Sequence, residues 1–166
     1  MPPQGRVQQR DEQPYAAIRR RVTMATFPEA VHDAWPKLEG WLEAHRVTPT
    51  GAPFIRYLTI DMERELELEF ALPVAATAPD DDPVRFGVLP AGAYATWLHT
   101  GPYDGLVASN GAALAWAAEE GLALEGRATD RGDEFRARVE HYLTDPAAEP
   151  DPARWEVGIA FLLADR

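Results

Sequence analysis

The sequence of 166 residues contains no cysteine, which excludes disulfides, thiolate metal sites and cysteine nucleophiles. It also lacks long hydrophobic runs, since no stretch approaches the roughly 18 apolar residues of a membrane-spanning helix. The first thirteen residues are polar and carry no hydrophobic segment of the kind found in secretory signals. We therefore expect a cytoplasmic protein without a membrane partner.

Positive charge is scarce as well. Sixteen Lys and Arg residues stand against 27 Asp and Glu residues, for a formal net charge of −11. Nucleic acids and membrane surfaces are bound through clusters of Lys and Arg, so this balance argues against both partners. The one basic run, residues 19–21, lies in a predicted strand and is too short for such a surface.

Motifs for metals and cofactors are missing too. The four histidines, His32, His45, His99 and His141, show no HxxxH or HExxH spacing, so we expect no metal. There is no P-loop, no GxGxxG fingerprint and no GxSxG elbow, and no cofactor is expected. A haem would need an axial histidine, and His99 is the only one predicted to point inward.

The sequence does contain an internal repeat. Residues 54–61 read FIRYLTID and residues 138–145 read RVEHYLTD. Each segment follows a helical pattern that contains tryptophan, and each precedes a strand of alternating apolar residues. Repeated units of this kind indicate a pseudo-symmetric fold with a cleft at the seam.

The spacing of equivalent positions supports the repeat. Trp41 and Trp116 are 75 residues apart, and Tyr57 and Tyr142 are 85 residues apart. The spacing grows only within predicted loops, where insertions are tolerated.

We predict an α+β fold of two tandem βαββ units related by a pseudo-twofold axis, with two main helices on an antiparallel sheet. A disordered lead-in is expected at residues 1–13, followed by one domain over 14–166. The first unit covers about 14–75, the linker 76–83 and the second unit about 84–166, and the Pro- and Asp-rich composition of the linker favours this division.

Local signals place the two helices. Residues 26–29, Thr-Phe-Pro-Glu, form a predicted capping box that starts the first helix. The second helix is predicted to start at Asp104 and to end before Gly121, which suits the residue after a helix.

Acidic residues alternate with apolar ones along one predicted strand. Glu65, Glu67 and Glu69 should therefore line the solvent-exposed face of the sheet. Glu67 and Glu156 occupy equivalent positions of the repeat, 89 residues apart, which suggests a shared structural role such as ion pairing.

Three segments carry a resemblance to a known family. They are Tyr94–Tyr103 (YATWLHTGPY), Val139–Pro146 (VEHYLTDP) and Trp155–Val157 (WEV). Together they resemble the GyrI-like small-molecule-binding domain family, which includes the effector-binding domains of AraC-type and MerR-type regulators and stand-alone gyrase inhibitory proteins. The resemblance covers about residues 14–164 and implies the same pair of βαββ modules (the SHS2 arrangement). We expect no helix-turn-helix in the thirteen polar residues before it, and hence a stand-alone member without direct nucleic-acid binding.

The resemblance implies a ligand cleft between the two helices, with Glu140 at its floor. Because strand residues alternate between faces, Glu140 and Tyr142 should share one face. Ile55 and Tyr57 occupy the matching places in the first unit. The repeat thus has an apolar residue in one copy where the other copy has a carboxylate.

The tryptophans leave two interpretations open. Trp97, matched to Val22 of the first unit, is either a core residue or a wall of the cleft. Trp41 and Trp116 either pack against loops or line a groove shared by the two units. Trp155 is predicted to be core.

The favoured function is the binding of a hydrophobic or cationic drug-like molecule, with Glu140 as counter-charge and Tyr57, Trp97 and Tyr142 as walls. The alternative is a hydrolase of cyclopropane-bearing DNA-alkylating natural products. In that case Glu140 would activate water, Tyr142 would orient the water or bind the oxyanion, and Trp97 or Trp116 would stack on the substrate. A third possibility is a protein-binding modulator such as a gyrase inhibitor.

Overall fold

Ten strands and two main helices follow one another in the computed structural model, which describes residues 4–165. In chain order the elements are β1 (Gly5–Arg10), β2 (Gln13–Val22), α1 (Phe27–Ala44), β3 (Phe54–Ile60), β4 (Leu66–Pro73), β5 (Val84–Leu89), β6 (Gly92–Thr100), α2 (Leu106–Glu119), β7 (Arg127–Thr129), β8 (Gly132–Glu134), β9 (Arg138–Tyr142) and β10 (Glu156–Leu162). Short 3-10 turns cover Tyr103–Gly105 and Pro152–Arg154.

The sheet is symmetric about its centre. Eight strands lie in the order β1-β6-β10-β9-β3-β4-β2-β5, and all neighbours are antiparallel. The β7–β8 hairpin attaches to β3. Read outward from the centre, β9, β10 and β6 correspond to β3, β4 and β2, with β1 and β5 at the two edges. The predicted α+β fold of two βαββ units is confirmed.

The two units meet between β3 and β9. In this pair Ile55 lies directly opposite Glu140, while Phe54 lies opposite His141. Ile55 and Glu140 are also equivalent positions of the repeat, 85 residues apart. A residue that pairs with its own equivalent lies on the symmetry axis, so the pseudo-twofold axis passes between Ile55 and Glu140.

Both helices pack on one face of the sheet. Leu38 and Leu42 of α1 are fully buried there, and the equivalent residues of α2, 75 positions later, are Ala113 and Ala117. Burial of the same positions in both helices agrees with the spacing of the repeat. The smaller side chains of α2 give it less apolar contact with the sheet.

The first strands of the two units have a different offset from the one predicted. Trp97 of β6 faces Ile159 of β10, and in the other unit Ile18 of β2 faces Phe70 of β4. The residue of the first unit that is equivalent to Trp97 is therefore Ile18 and not Val22. The match to Val22 was wrong by four residues, because an alternating strand presents the same pattern after any even shift.

The expected disordered lead-in is also corrected. Within residues 1–13, β1 pairs with β6 along its whole length, and residues 1–3 lie outside the described part of the chain. β5, which the sequence pattern did not reveal, pairs with β2 in the same way at the other edge. Edge strands gain their main-chain hydrogen bonds from one neighbour and need few apolar side chains, so polar composition did not exclude a strand.

The other face of the sheet carries a second core, formed almost entirely by strands of both units. Its buried members are Tyr15, Ala17, Phe54, Ala71, Leu89, Tyr94, Ala137, Val139, Ala160 and Leu162.

This second core changes the prediction for the glutamates of β4. Glu65 is exposed and Glu67 half-buried, as expected of a solvated face, but Glu69 is only 3% exposed. The Tyr15 hydroxyl donates to Glu69 at 2.6 Å, and an Arg19 nitrogen donates to it at 3.4 Å. A carboxylate beside an apolar core needs such partners, and the strand pattern does not show which face acquires a core.

The helix starts differ from prediction in detail. Thr26 does not cap α1, because its hydroxyl accepts a hydrogen bond from the Thr23 amide instead of from the helix. Asp104 lies in the 3-10 turn before α2 and does not cap that helix by its side chain. Gly121 has a φ of 70°, the left-handed conformation expected after a helix.

Candidate functional site

Glu140 lies on the symmetry axis, on the face of the sheet that the helices cover. Only 5% of the residue is exposed. Its neighbours across the sheet, Ile55 on β3 and Ile159 on β10, are both buried and apolar. A carboxylate in such a row must be satisfied by hydrogen bonds or by a counter-charge.

Three neutral donors reach this carboxylate. The hydroxyls of Tyr57 and Tyr142 donate to Oε1 of Glu140 at 2.6 and 2.8 Å. Nδ2 of Asn110, on α2, donates to Oε2 at 3.0 Å. The two tyrosines are equivalent positions of the repeat, so a symmetric framework directs two hydroxyls to one carboxylate that has no symmetric counterpart.

Both tyrosines remain protonated donors. Burial raises the pKa of Tyr57 and of Tyr142 well above the ordinary value, and the negative charge of Glu140 raises it further. The single hydroxyl proton of Tyr142 is already donated to Glu140. While this bond lasts, Tyr142 has no proton to donate to a substrate.

Glu140 has no paired cation within the described part of the chain. No Lys or Arg nitrogen of residues 4–165 lies within 4.0 Å of its carboxylate oxygens, although nine ion pairs of Lys or Arg form elsewhere in that range. Arg138 lies two residues earlier on the same strand, and its positive charge acts on Glu140 and Tyr57 from a distance. Its guanidinium forms no ion pair with Glu140 and lies 5.1 Å from the ring centre of Phe135 and 5.0 Å from that of Phe161. A buried charge of this kind marks a candidate binding or catalytic site.

Aromatic rings border the site around Tyr142. Trp35 packs edge-on against Tyr142 with ring centres 5.3 Å apart, and Tyr103 packs edge-on against the same ring at 5.6 Å. Tyr103 in turn contacts Trp155 at 4.8 Å. Trp35 belongs to α1, Tyr142 to β9 and Tyr103 to the 3-10 turn before α2, while Trp155 directly follows the second 3-10 turn. The fold thus assembles these rings from distant parts of the sequence.

Trp35, Tyr103 and Asn110 were not among the predicted site residues. Trp35 fits the helical spacing of the apolar residues of α1, so the sequence pattern does not distinguish it from a core residue. Asn110 lies 75 residues after Trp35 and is its equivalent in α2, a helix with no charged residue before Glu119. An amide at an inward position of such an apolar helix was the available signal.

The structure brings Glu140, Tyr57 and Tyr142 together, as predicted, but it places the other tryptophans elsewhere. Trp41 packs against Phe86 of β5 with ring centres 5.7 Å apart. Trp116 contacts Trp97 at 6.0 Å and lies so close to Gly5 of β1 that a side chain there would clash with it. Both rings therefore face the edge strands. Trp97 lies in the same row as Glu140, two strands away, and its buried indole N–H has no hydrogen-bond partner within residues 4–165.

His99 is buried and fully engaged within the protein. Its Nε2 donates to the Pro102 carbonyl at 2.9 Å, so its Nδ1 accepts from the Ser109 hydroxyl. These bonds tie the turn after β6 to the first turns of α2, and they leave no ring nitrogen free for a haem iron. Within residues 4–165, no group of three or more His, Asp or Glu side chains could hold a metal ion.

Two grooves lie away from this site. They measure about 390 and 370 Å³ and share Arg21 and Glu67, which form an ion pair at 3.6 Å. Their linings are largely charged and include neither Glu140 nor its tyrosines. Among the described residues, no helix is both long and apolar enough to span a bilayer.

Solved structures with the same fold include four chains from three proteins. The C-terminal domain of EcmrR aligns with a TM-score of 0.77 and 20% identity over 98% of both chains. EcmrR in its complex with DNA aligns with a TM-score of 0.79 and 22% identity, over 98% of this chain. The alignment covers 58% of EcmrR, so this chain spans little more than half the length of that protein. SAV2435 bound to tetraphenylphosphonium aligns with a TM-score of 0.62 and 8% identity, over 96% of this chain and 93% of SAV2435. A hydrolase from Listeria innocua aligns with a TM-score of 0.64 and 14% identity, over 97% of this chain and 92% of the hydrolase.

At these identities the neighbours show a common fold and no more. No curated protein matches the chain. Its sequence does match the GyrI-like small molecule binding domain over residues 4–163, which is nearly its whole length. The protein therefore belongs to the GyrI-like small molecule binding domain family.

Proposed function

We propose that the protein binds a hydrophobic organic cation at Glu140. The supporting observation is a buried carboxylate that holds three neutral hydrogen-bond donors and no paired Lys or Arg among the described residues. A cationic ligand supplies a directly paired counter-charge, and the attraction is strong where water is excluded.

The surrounding rings suit the same ligand. Trp35, Tyr103 and Tyr142 offer apolar surface and negative ring faces to a cation. Membership of a small-molecule-binding family supports the proposal, as does the neighbour SAV2435, which was solved bound to tetraphenylphosphonium, itself a hydrophobic cation. We expect no direct nucleic-acid contact from this acidic domain.

A matched ligand pair tests the role of the charge. Tetraphenylphosphonium and tetraphenylborate have nearly the same shape and opposite charge. Calorimetry should show binding of the cation and not of the anion. Glu140→Gln should lower the affinity for the cation by about tenfold or more. Glu156→Gln, which removes an exposed carboxylate, is the control and should change nothing. Equal binding of both ions by the unaltered protein, or no effect of Glu140→Gln, would contradict the proposal.

Hydrolysis of cyclopropane-bearing DNA-alkylating compounds is the second candidate. It is favoured by one feature: Oε2 of Glu140 accepts a single hydrogen bond and could take a proton from water. Tyr142 would then orient Glu140, since its own proton is engaged. Mass spectrometry of such a compound incubated with the protein decides between the candidates. Ring-opened product that disappears in Glu140→Gln supports the hydrolase, and no product above the buffer rate leaves ligand binding.

A further inference from the structure

We propose that Asn110 contacts the ligand beside Oε2 of Glu140 and selects cations that carry N–H bonds. The inference rests on the proposed binding of an organic cation at Glu140. Its starting point is a count of acceptor sites: a carboxylate has about four lone pairs, two on each oxygen. Tyr57 and Tyr142 use both lone pairs of Oε1, whereas Asn110 uses only one lone pair of Oε2.

The remaining acceptor site of Glu140 therefore lies on the oxygen nearest Asn110. A ligand N–H that binds the carboxylate without displacing a tyrosine must approach Oε2. The two tyrosines orient the carboxylate, and Asn110 is the described residue that donates to Oε2.

The orientation of the Asn110 amide is fixed by its partners. Nδ2 donates to the Leu106 carbonyl at 2.9 Å and to Oε2 of Glu140 at 3.0 Å, and neither partner can donate in return. The other amide atom, Oδ1, accepts no hydrogen bond from the described residues. It is a second acceptor available beside Glu140.

The two acceptors are close enough for one ammonium group. The nitrogen and oxygen of an amide are about 2 Å apart, so Oδ1 lies within about 5 Å of Oε2. Two N–H bonds of a tetrahedral ammonium reach acceptors about 4.6 Å apart at normal hydrogen-bond lengths. In the proposed arrangement the Nδ2 hydrogen on the same side as Oδ1 faces Glu140, which brings the two acceptors to about 4 Å and lets a protonated amine bridge them.

The pseudo-twofold axis gives the site a direction. Trp35, the equivalent of Asn110 in α1, presents an aromatic ring packed on Tyr142. An amphiphilic cation would therefore place its rings toward α1 and its N–H bonds toward α2. A phosphonium surrounded by four phenyl rings has no N–H bond and cannot use Asn110.

Two ligands of similar bulk test the selection. Triphenylmethylammonium carries three N–H bonds and tetraphenylphosphonium none. Asn110→Leu keeps the approximate size of the side chain and removes both polar atoms. We expect calorimetry to show that this change lowers the affinity for triphenylmethylammonium about tenfold and the affinity for tetraphenylphosphonium by less than about twofold.

Control variants separate selection from a structural role. Tyr57→Phe, which removes a donor to Oε1 and leaves Asn110 and Oε2 unchanged, should not reproduce the selective loss of affinity for triphenylmethylammonium. Asn110→Ala, which favours the helix, should reproduce the change in selectivity if the larger Leu disturbs packing. Equal weakening of both ligands in the two Asn110 variants, or no weakening of either, would overturn the inference.

The outcome is separable from that of the proposed function. If the unaltered protein does not prefer tetraphenylphosphonium over tetraphenylborate, the cation site itself fails. If it does, and the Asn110 variants keep the original ratio of the two cation affinities, only the role of Asn110 fails.

Discussion

The two units of the molecule share one framework and fill it differently. α1 packs on the sheet through Leu38 and Leu42, and α2 packs through Ala113 and Ala117 at the equivalent positions. The solvent-facing side of α1 carries five charged residues, namely Glu29, Asp33, Lys37, Glu39 and Glu43, whereas α2 carries none before Glu119. The first unit thus has the larger apolar core, and the second carries a polar residue, Asn110, on the inward side of its helix.

The contrast is sharpest at the axis. Ile55 in the first unit corresponds to Glu140 in the second, and Trp35 corresponds to Asn110. Symmetric tyrosines donate to a carboxylate found in only one unit. Pseudo-symmetry therefore supplies the scaffold of the site, and the departures from symmetry supply its charge and its polarity.

The difference in core size should appear as a difference in stability. Leu38→Ala should lower the free energy of unfolding by about 2–5 kcal/mol, because it leaves a cavity in a fully buried position. Ala113→Gly, the matched change in α2, should cost about 1 kcal/mol through helix propensity. Urea denaturation measures both, and equal losses would remove the distinction between the two helices.

The equivalent residues Arg56 and His141 offer a second contrast, on the other face of the sheet. Arg56 donates to the Tyr15 hydroxyl in the first unit, whereas His141 lies 3.0 Å from Arg10 in the second. Burial, with a smaller effect of the Arg10 charge, lowers the pKa of His141 from 6.5 to about 4. The unfolded chain therefore takes up this proton first, and the contribution of His141 to stability is lost as the pH falls from about 6.5 to about 4.

The loss attributable to His141 should reach about 3 kcal/mol. Glu and Asp residues titrate in part of the same range, so the informative quantity is the difference between the original protein and His141→Gln. Denaturation at a series of pH values should give a flatter profile for the variant between 6.5 and 4. Parallel profiles would mean that His141 is accessible to protons in the folded protein.

Much of this architecture could be predicted from the sequence. The repeated Tyr-Leu-Thr segments and the alternation of β9 placed Glu140, Tyr57 and Tyr142 on one face, and the structure joins them by hydrogen bonds. These predictions succeeded because strand periodicity and the repeat both depend on residues near one another in sequence.

The remaining features depend on contacts between distant segments. β1 is a strand because the edge of β6 is available to it, and nothing in its polar sequence indicates that edge. Glu69 is buried because strands of both units build a second core beside it. Asn110 reaches Glu140 only because α2 crosses the axis, and a single amide in a helix has no motif of its own.

Restoring the symmetry of the axis should separate stability from binding. The triple variant Glu140→Ile, Tyr57→Phe, Tyr142→Phe replaces a buried polar group and its two hydroxyl partners with apolar side chains. Such replacements are close to neutral, and Asn110, the third donor to Glu140, keeps its hydrogen bond to the Leu106 carbonyl. We therefore expect a stability change within about 1 kcal/mol together with loss of cation binding. Glu140→Ile alone should be less stable than the triple variant, because it leaves two hydroxyls without their acceptor. A triple variant that still prefers tetraphenylphosphonium over tetraphenylborate would place the cation elsewhere.

The smallest effects are expected at the paired tryptophans of the helices. Trp41 and Trp116 are equivalent positions, and their rings pack toward β5 and β1 at opposite edges of the sheet. Trp41→Phe and Trp116→Phe should therefore leave the affinity for tetraphenylphosphonium within about twofold, whereas Trp35→Phe should lower it by about threefold through the lost ring contact. Calorimetry is the suitable measurement, because each variant removes a tryptophan that fluorescence would report. If Trp116→Phe weakened cation binding as much as Trp35→Phe, the ligand would have to contact Trp116 as well as the rings around Tyr142, and it would be larger than those rings alone imply.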